Sequence, residues 1–164
     1  AHLHAWWDEV EDIANEPQLT IIGHKAENPM MLTACEWLDV FIDQQRQIRR
    51  GDEKNGWWEL EVAKAGTYEF EMRRWPREAD TAIADGMPGM KVSAGDLVEG
   101  KAIPIKSARI QIGRESQSKQ VKPGDKSVTF TFDLEAGPTR LYTWFEKGPR
   151  QGILGAYYVY VNRQ

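Results

Sequence analysis

At 164 residues the chain is one domain of ordinary size, able to bury a core without a disulfide or metal, and its single cysteine, Cys35, excludes an internal disulfide. Acids and bases are interspersed at a formal net charge of −4, which argues against a nucleic-acid footprint, and no apolar run approaches the roughly 20 residues of a membrane span. Seven tryptophans are a high load for this length and raise the question of a stacking surface.

Residues 3–14 predict a helix, with Leu3, Trp6, Trp7, Val10, Ile13 and Ala14 at i, i+3, i+4, i+7 spacing and Asp8, Glu9, Glu11 and Asp12 on the other face. That stripe is too large for a free terminus and is expected to dock on something; Pro17 closes the helix. Residues 19–23 and 30–35 read as strands around a 23–29 loop. Residues 36–51 read as a strand and loop leading into turn chemistry at 51–56. The stretch 55–78 organises the rest. Trp58, Leu60 and Val62 alternate, Lys64-Ala65-Gly66 intervenes, and Tyr68, Phe70 and Met72 alternate again, which predicts a hairpin. Its polar face carries Glu59, Glu61, Glu69, Glu71 and Arg73. Trp57 shares that parity, and the second strand ends in Arg73-Arg74-Trp75-Pro76.

Residues 78–84 can form a short helix, and 85–100, with four glycines and Pro88, reads as a long loop. A strand is expected at 103–113 and a turn at 116–120. Residues 127–135 run through Ala136-Gly137-Pro138 into 139–146 as a second hairpin. A glycine-rich loop at 147–155 precedes a final strand at 156–162. Eight or nine short strands with almost no helix predict an all-β fold, an antiparallel β-sandwich or jelly roll with one N-terminal helix.

Catalytic patterns are missing from this reading. His2, His4 and His24 all fall in the first 24 residues, away from any Ser or Cys they could activate. A His-x-His pair alone is a weak zinc signal, and the 51–56 loop has Lys54 where a calcium loop needs an oxygen. Glu59, Glu61, Glu69 and Glu71 are more simply a solvated face than a glycosidase pair. Binding is the better expectation. Sugar rings stack on aromatic side chains while arginines hold anionic substituents. The candidates are Trp57, Trp75 and Trp144 with Arg49, Arg50 and Arg73; Tyr158 and Tyr160 are further strand aromatics, Arg74 and Arg77 lie nearby in sequence, and about half of the five aromatics are expected in the core.

The runs Asn28-Pro29-Met30-Met31-Leu32-Thr33, Gly56-Trp57-Trp58-Glu59-Leu60-Glu61-Val62, Gly66-Thr67-Tyr68-Glu69-Phe70-Glu71 and Arg73-Arg74-Trp75-Pro76 resemble the C-terminal domain of bacterial arylsulfatases. Ala136-Gly137-Pro138-Thr139-Arg140-Leu141 and Gly155-Ala156-Tyr157-Tyr158-Val159 are similar to the end of that domain, so the resemblance covers nearly the whole chain. It implies a non-catalytic accessory domain over 17–164 that packs on the catalytic domain of the same chain and shapes its substrate cleft, with 1–16 left from the junction between the two. Sulfated carbohydrate as a partner and a periplasmic or extracellular location follow from the resemblance alone. The family's formylglycine and calcium belong to the catalytic domain. Cys35-Glu36-Trp37-Leu38-Asp39 fails the Cys/Ser-x-Pro-x-Arg motif, and no serine here has proline two residues on, so no catalytic residue or cofactor is carried over. Cys35-Glu36-Trp37 also stands where related sequences often read His-Asp-Trp. The alternative is an autonomous carbohydrate-binding module of jelly-roll type. It predicts that the Trp6/Trp7 stripe packs on the sandwich, whereas an exposed stripe favours membership of a larger enzyme.

Overall fold

Two-residue periodicity in the strands builds two sheets whose inner faces share one core. The computed structural model describes residues 2–16, 18–93, 95–148 and 153–164. Helix α1 (His2–Asn15) is followed by strands β1 (Thr20–Ile22) and β2 (Met30–Thr33), helix α2 (Gln45–Arg50), then β3 (Trp57–Val62) and β4 (Gly66–Arg73). The chain continues through β5 (Met90–Val92), β6 (Gly95–Leu97), β7 (Ser107–Ile112), β8 (Glu115–Gln120), β9 (Val128–Leu134), β10 (Gly137–Glu146), β11 (Ile153–Leu154) and β12 (Tyr158–Arg163). One sheet has the order β1-β3-β10-β7-β8, with β11 beside β10; the other has the order β2-β12-β4-β9. Every pairing within them is antiparallel except β1 with β3. The fold is an all-β sandwich with an N-terminal helix.

The alternation read from the sequence points inward as expected. Trp58, Leu60, Val62, Ile110, Leu141 and Phe145 of one sheet meet Tyr68, Phe70, Met72, Phe130, Phe132 and Val161 of the other, all buried. The two expected hairpins do not form. β3 pairs with β1 and β10, and β4 with β12 and β9, so the connection at 63–65 crosses from one sheet to the other. The connection between β9 and β10 does the same. Val62 faces Gly137 and Gly66 faces Leu134, which places the two crossings side by side at one end of the sandwich. Each turns on a glycine at positive φ, Gly66 at 155° and Gly137 at 123°. A short glycine-bearing link suits an arch as well as a hairpin. Here β3 takes β10 as its antiparallel partner and β4 takes β9 and β12.

Other differences are local. Residues 115–120 form β8 rather than a turn, and the 85–100 segment contains the β5–β6 hairpin. The expected 30–35 strand stops at Thr33 and gives way to a 3-10 turn (Ala34–Glu36), and the 36–51 region holds α2 in place of the expected strand, with Gly51 at φ 67° ending the helix. Near 78–84 only a 3-10 turn forms (Arg77–Ala79). The end of α1 at Pro17 and residues 149–152 of the expected loop lie outside the described residues; Ile153 and Leu154 form β11.

α1 itself matches the expected helix, yet none of its described residues is buried. Leu3, Trp6, Trp7 and Ile13 are 70%, 52%, 42% and 65% exposed, with the two indoles 6.1 Å apart.

Candidate functional site

Because β3, β10 and β7 are adjacent, their outward positions fall into one field. Tyr142 stands opposite Trp57 and Gln111, Trp144 opposite Arg109, and Arg140 opposite Glu59. The side chains form a continuous row. The Arg109 guanidinium lies 3.5 Å from the centroid of Trp144, whose ring is nearly parallel to Tyr142 (9°) at 5.7 Å. Tyr142 meets Trp57 at 5.9 Å, and Arg140 sits over Trp57 at 5.1 Å. Each contact is of the aromatic or cation–π kind, so the row is held from both ends.

Carboxylates complete it. Trp57 Nε1–H donates to Glu59 Oε1 at 3.0 Å, Arg140 Nε–H donates to the same oxygen at 2.6 Å, and Arg140 Nη1 donates to the Tyr142 hydroxyl at 3.2 Å. Glu59 pushes the Arg140 guanidinium above its ordinary value, with Tyr142 adding to it. Glu146 lies 3.5 Å from Arg109 Nε and accepts from Ser107 Oγ at 2.9 Å. On β8, Ser116, Ser118 and Gln120 face Gln111, Arg109 and Ser107 across the strand pair, giving an uncharged lane beside the rings.

On the outside of the second sheet, Glu71 accepts from Arg73 Nη1 at 2.7 Å and from Arg77, whose guanidinium lies 4.1 Å from the Tyr160 ring. Burial pushes the Glu71 carboxyl up, but the hydrogen bonds and charges of Arg77 and Arg73 outweigh it and hold the group below its ordinary value. A carboxyl lowered in the folded state adds stability above its unfolded pKa of about 4.3 and loses it as pH falls through the folded value. Glu71→Gln is therefore expected to be less stable than the wild type at neutral pH and to show a flatter acid limb when urea midpoints are measured against pH. Parallel acid limbs would contradict this assignment.

The third region is the end of the sandwich opposite the two crossings. Arg74 is fully buried, at 4.5 Å from the Trp75 ring. It donates to the carbonyls of Ile83 (3.4 Å), Asp85 (3.2 Å) and Lys101 (2.7 Å). Burial pulls it down to about 10, which leaves it charged at neutral pH. Arg49 is 2% exposed, and its Nη1 donates to the carbonyls of Pro88 (2.9 Å) and Val98 (2.8 Å), the two legs that carry β5 and β6. Among the described residues neither guanidinium has a carboxylate partner. An open cavity of about 830 Å³ beside these legs is lined by Gly86–Gly89 and Glu99–Ala102.

The residues proposed from the sequence are thus divided. Trp57 and Trp144 share the outer-face row. Trp75 is 1% exposed and gives its indole N–H to the Asp85 carbonyl at 3.1 Å. Arg49 is spent on loop carbonyls, and Arg73, 7% exposed, on Glu71 and the Trp75 carbonyl. These three are enclosed within the fold and present no face to a ligand. Arg50 is exposed at the end of α2, outside the strands that carry the aromatic row, and is paired with Asp52 at 2.9 Å. Tyr158 is buried and Tyr160 half-buried on the second sheet. Sequence reasoning missed Arg109, Arg140 and Tyr142. Their signal was Tyr142 and Trp144 alternating on the outward parity of β10. The acidic quartet is not one surface either: Glu59 and Glu61 face out from one sheet, Glu69 and Glu71 from the other.

Cys35 is exposed. Among the described residues no group of three or more His, Cys, Asp or Glu could hold a metal ion, and no helix is long and apolar enough to cross a membrane. No protein-family model and no curated protein matches the chain. A solved structure, the crystal structure of a ruminal GH26 endo-beta-1,4-mannanase, aligns at a TM-score of 0.43 and 10% identity over 90% of this chain. The chain spans 27% of that structure's length, and the functional reading therefore rests on this chain's own residues.

Proposed function

We propose that this domain is a non-catalytic accessory module of a sulfatase-like enzyme, packed on a catalytic unit that cleaves sulfate esters and forming one wall of its substrate cleft. The observation that carries the reading is the apolar stripe of α1, which is exposed and buries none of its described residues. Such a stripe is a contact surface for another folded unit. Its charge favours protein over lipid. The first 24 residues hold five carboxylates and no Lys or Arg, whereas helices that lie on anionic membranes are basic. The framework runs that resemble sulfatase C-terminal domains supply the identity of the catalytic unit, and with it a periplasmic or extracellular setting. Formylglycine and calcium belong to that unit.

The reading is tested in the protein made from the complete reading frame that carries this chain. That frame is expected to encode a Cys/Ser-x-Pro-x-Arg motif, and its product to hydrolyse 4-nitrophenyl sulfate while the 164-residue chain alone does not. Acrylamide is expected to quench Trp6 and Trp7 in the isolated chain and to be excluded from them in the complete protein. A frame without the motif, or indoles equally quenched in both, would overturn the reading. The outer-face row of rings favours a second role, carbohydrate binding by the domain alone.

A further inference from the structure

The row Arg109–Trp144–Tyr142–Trp57–Arg140 combines two features that place different demands on a ligand. Three half-buried rings lie in line on a solvent-facing sheet surface, at centroid spacings of 5.7 and 5.9 Å. They belong to no core, and guanidinium groups at both ends fix their orientation. Aromatic surface held rigid before binding loses little entropy when a ligand arrives. The arginines, however, are already engaged. Arg140 is tied to Glu59 and Tyr142, and Arg109 to Trp144 and Glu146. With Glu61 also outward on β3, two guanidiniums stand among three carboxylates.

From this geometry we infer that the outer face of the β1-β3-β10-β7-β8 sheet binds an uncharged polysaccharide segment, and not a sulfated one. A pyranose has an apolar C–H face and a rim of hydroxyls. The ring row supplies an apolar floor. Glu59, Glu146, Gln111, Ser118 and Gln120 supply acceptors and donors suited to hydroxyls. Among the described residues of this row a sulfate would find no cation without a carboxylate partner, and would have to break an ion pair to gain one. The lane along β8 is uncharged as well, so the surface offers a long chain hydrogen bonds without electrostatic attraction. This deepens the accessory reading: the domain holds unsubstituted stretches of a polymer whose ester-bearing sugar is presented elsewhere.

The test uses the 164-residue chain and matched probes: neutral agarose oligosaccharides against carrageenan oligosaccharides, and hydroxyethylcellulose against cellulose sulfate. Affinity electrophoresis and calorimetry are run at low and high salt. At least one neutral member is expected to bind more tightly than its sulfated counterpart, with an affinity that changes less than about twofold with salt. Trp144→Ala and Tyr142→Ala are expected to weaken it about tenfold or more, and Trp144→Phe less. Tyr160→Ala, on the other sheet, is expected to leave it unchanged, with folding of every variant verified by circular dichroism. Binding confined to the sulfated members with steep salt dependence overturns the inference, as does retention in Trp144→Ala or failure of every probe to bind. Because the chain is tested alone, neutral binding stands even where its reading frame encodes no sulfatase. Loss of neutral binding likewise leaves the α1 contact to its own experiment.

Discussion

Trp58→Ala is expected to lower the unfolding free energy by about 3–5 kcal/mol, the range for deleting a large buried aromatic. Trp58 is fully buried, stands edge-on to Trp37 at 5.6 Å and 72°, and donates its indole N–H to the Thr33 carbonyl at 3.0 Å. It therefore joins β3 of one sheet to β2 of the other through both packing and a hydrogen bond. The alanine variant leaves a cavity and a carbonyl without that donor. Trp58→Phe keeps most of the ring and loses the bond, so its loss is expected to be smaller, though still about 1 kcal/mol or more. Urea titration separates these outcomes: the midpoint falls in the order wild type, Phe, Ala, at a constant slope. A midpoint in Trp58→Ala close to that of the wild type would show that the core closes over the gap, and would remove Trp58 from its place as the link between sheets.

The second large effect is expected from Arg74→Ala, a loss of about 3–4 kcal/mol through a cavity and several carbonyls deprived of donors. The loss is concentrated in one region. Arg74 gathers the carbonyls of Ile83, Asp85 and Lys101, the two ends of the excursion that carries β5 and β6. Met87 and Gly100 exchange backbone hydrogen bonds at the base of that excursion, at 3.1 and 2.8 Å. Amide exchange at Met87 and Gly100 is expected to accelerate in Arg74→Ala well before the strands of the two sheets respond. Arg74→Met refills the volume but restores no donor, so it is expected to recover part of the stability and none of the protection. Equal recovery of both would mean that Arg74 acts by filling space.

These two side chains also mark what can be read from a sequence. Trp58 was legible: its parity with Leu60 and Val62 assigns it to the core, and it is there. The inward sets of β4 and β9 were legible for the same reason, as was α1 from its 3.6-residue stripe. Alternation says which face a residue takes and nothing about which strand lies alongside, so arches were read as hairpins. Arg74 and Arg49 were illegible in a different way. An arginine next to another arginine, as Arg74 and Arg49 both are, reads as surface, and what reverses that here is a set of backbone carbonyls. Every residue carries a carbonyl, so its availability leaves no mark in the sequence. The outer-face row lies between these cases. Trp57 and Trp144 stood out by parity, while Arg109 and Arg140 became their neighbours only through the register of three strands far apart in the chain.

The position of β12 has a consequence for how the protein is made. The last strand of the chain does not sit at an edge; it lies between β2 and β4, paired to both. During synthesis, β2 and β4 emerge with nothing between them and wait for β12. A ribosome releases the N-terminal part first, so β4 can pair with β9 early, whereas β2 joins that sheet only after residue 163 has left the exit tunnel. Completion of the second sheet is therefore gated by the six residues of β12, and until they arrive the nascent chain offers open strand edges to whatever binds them first.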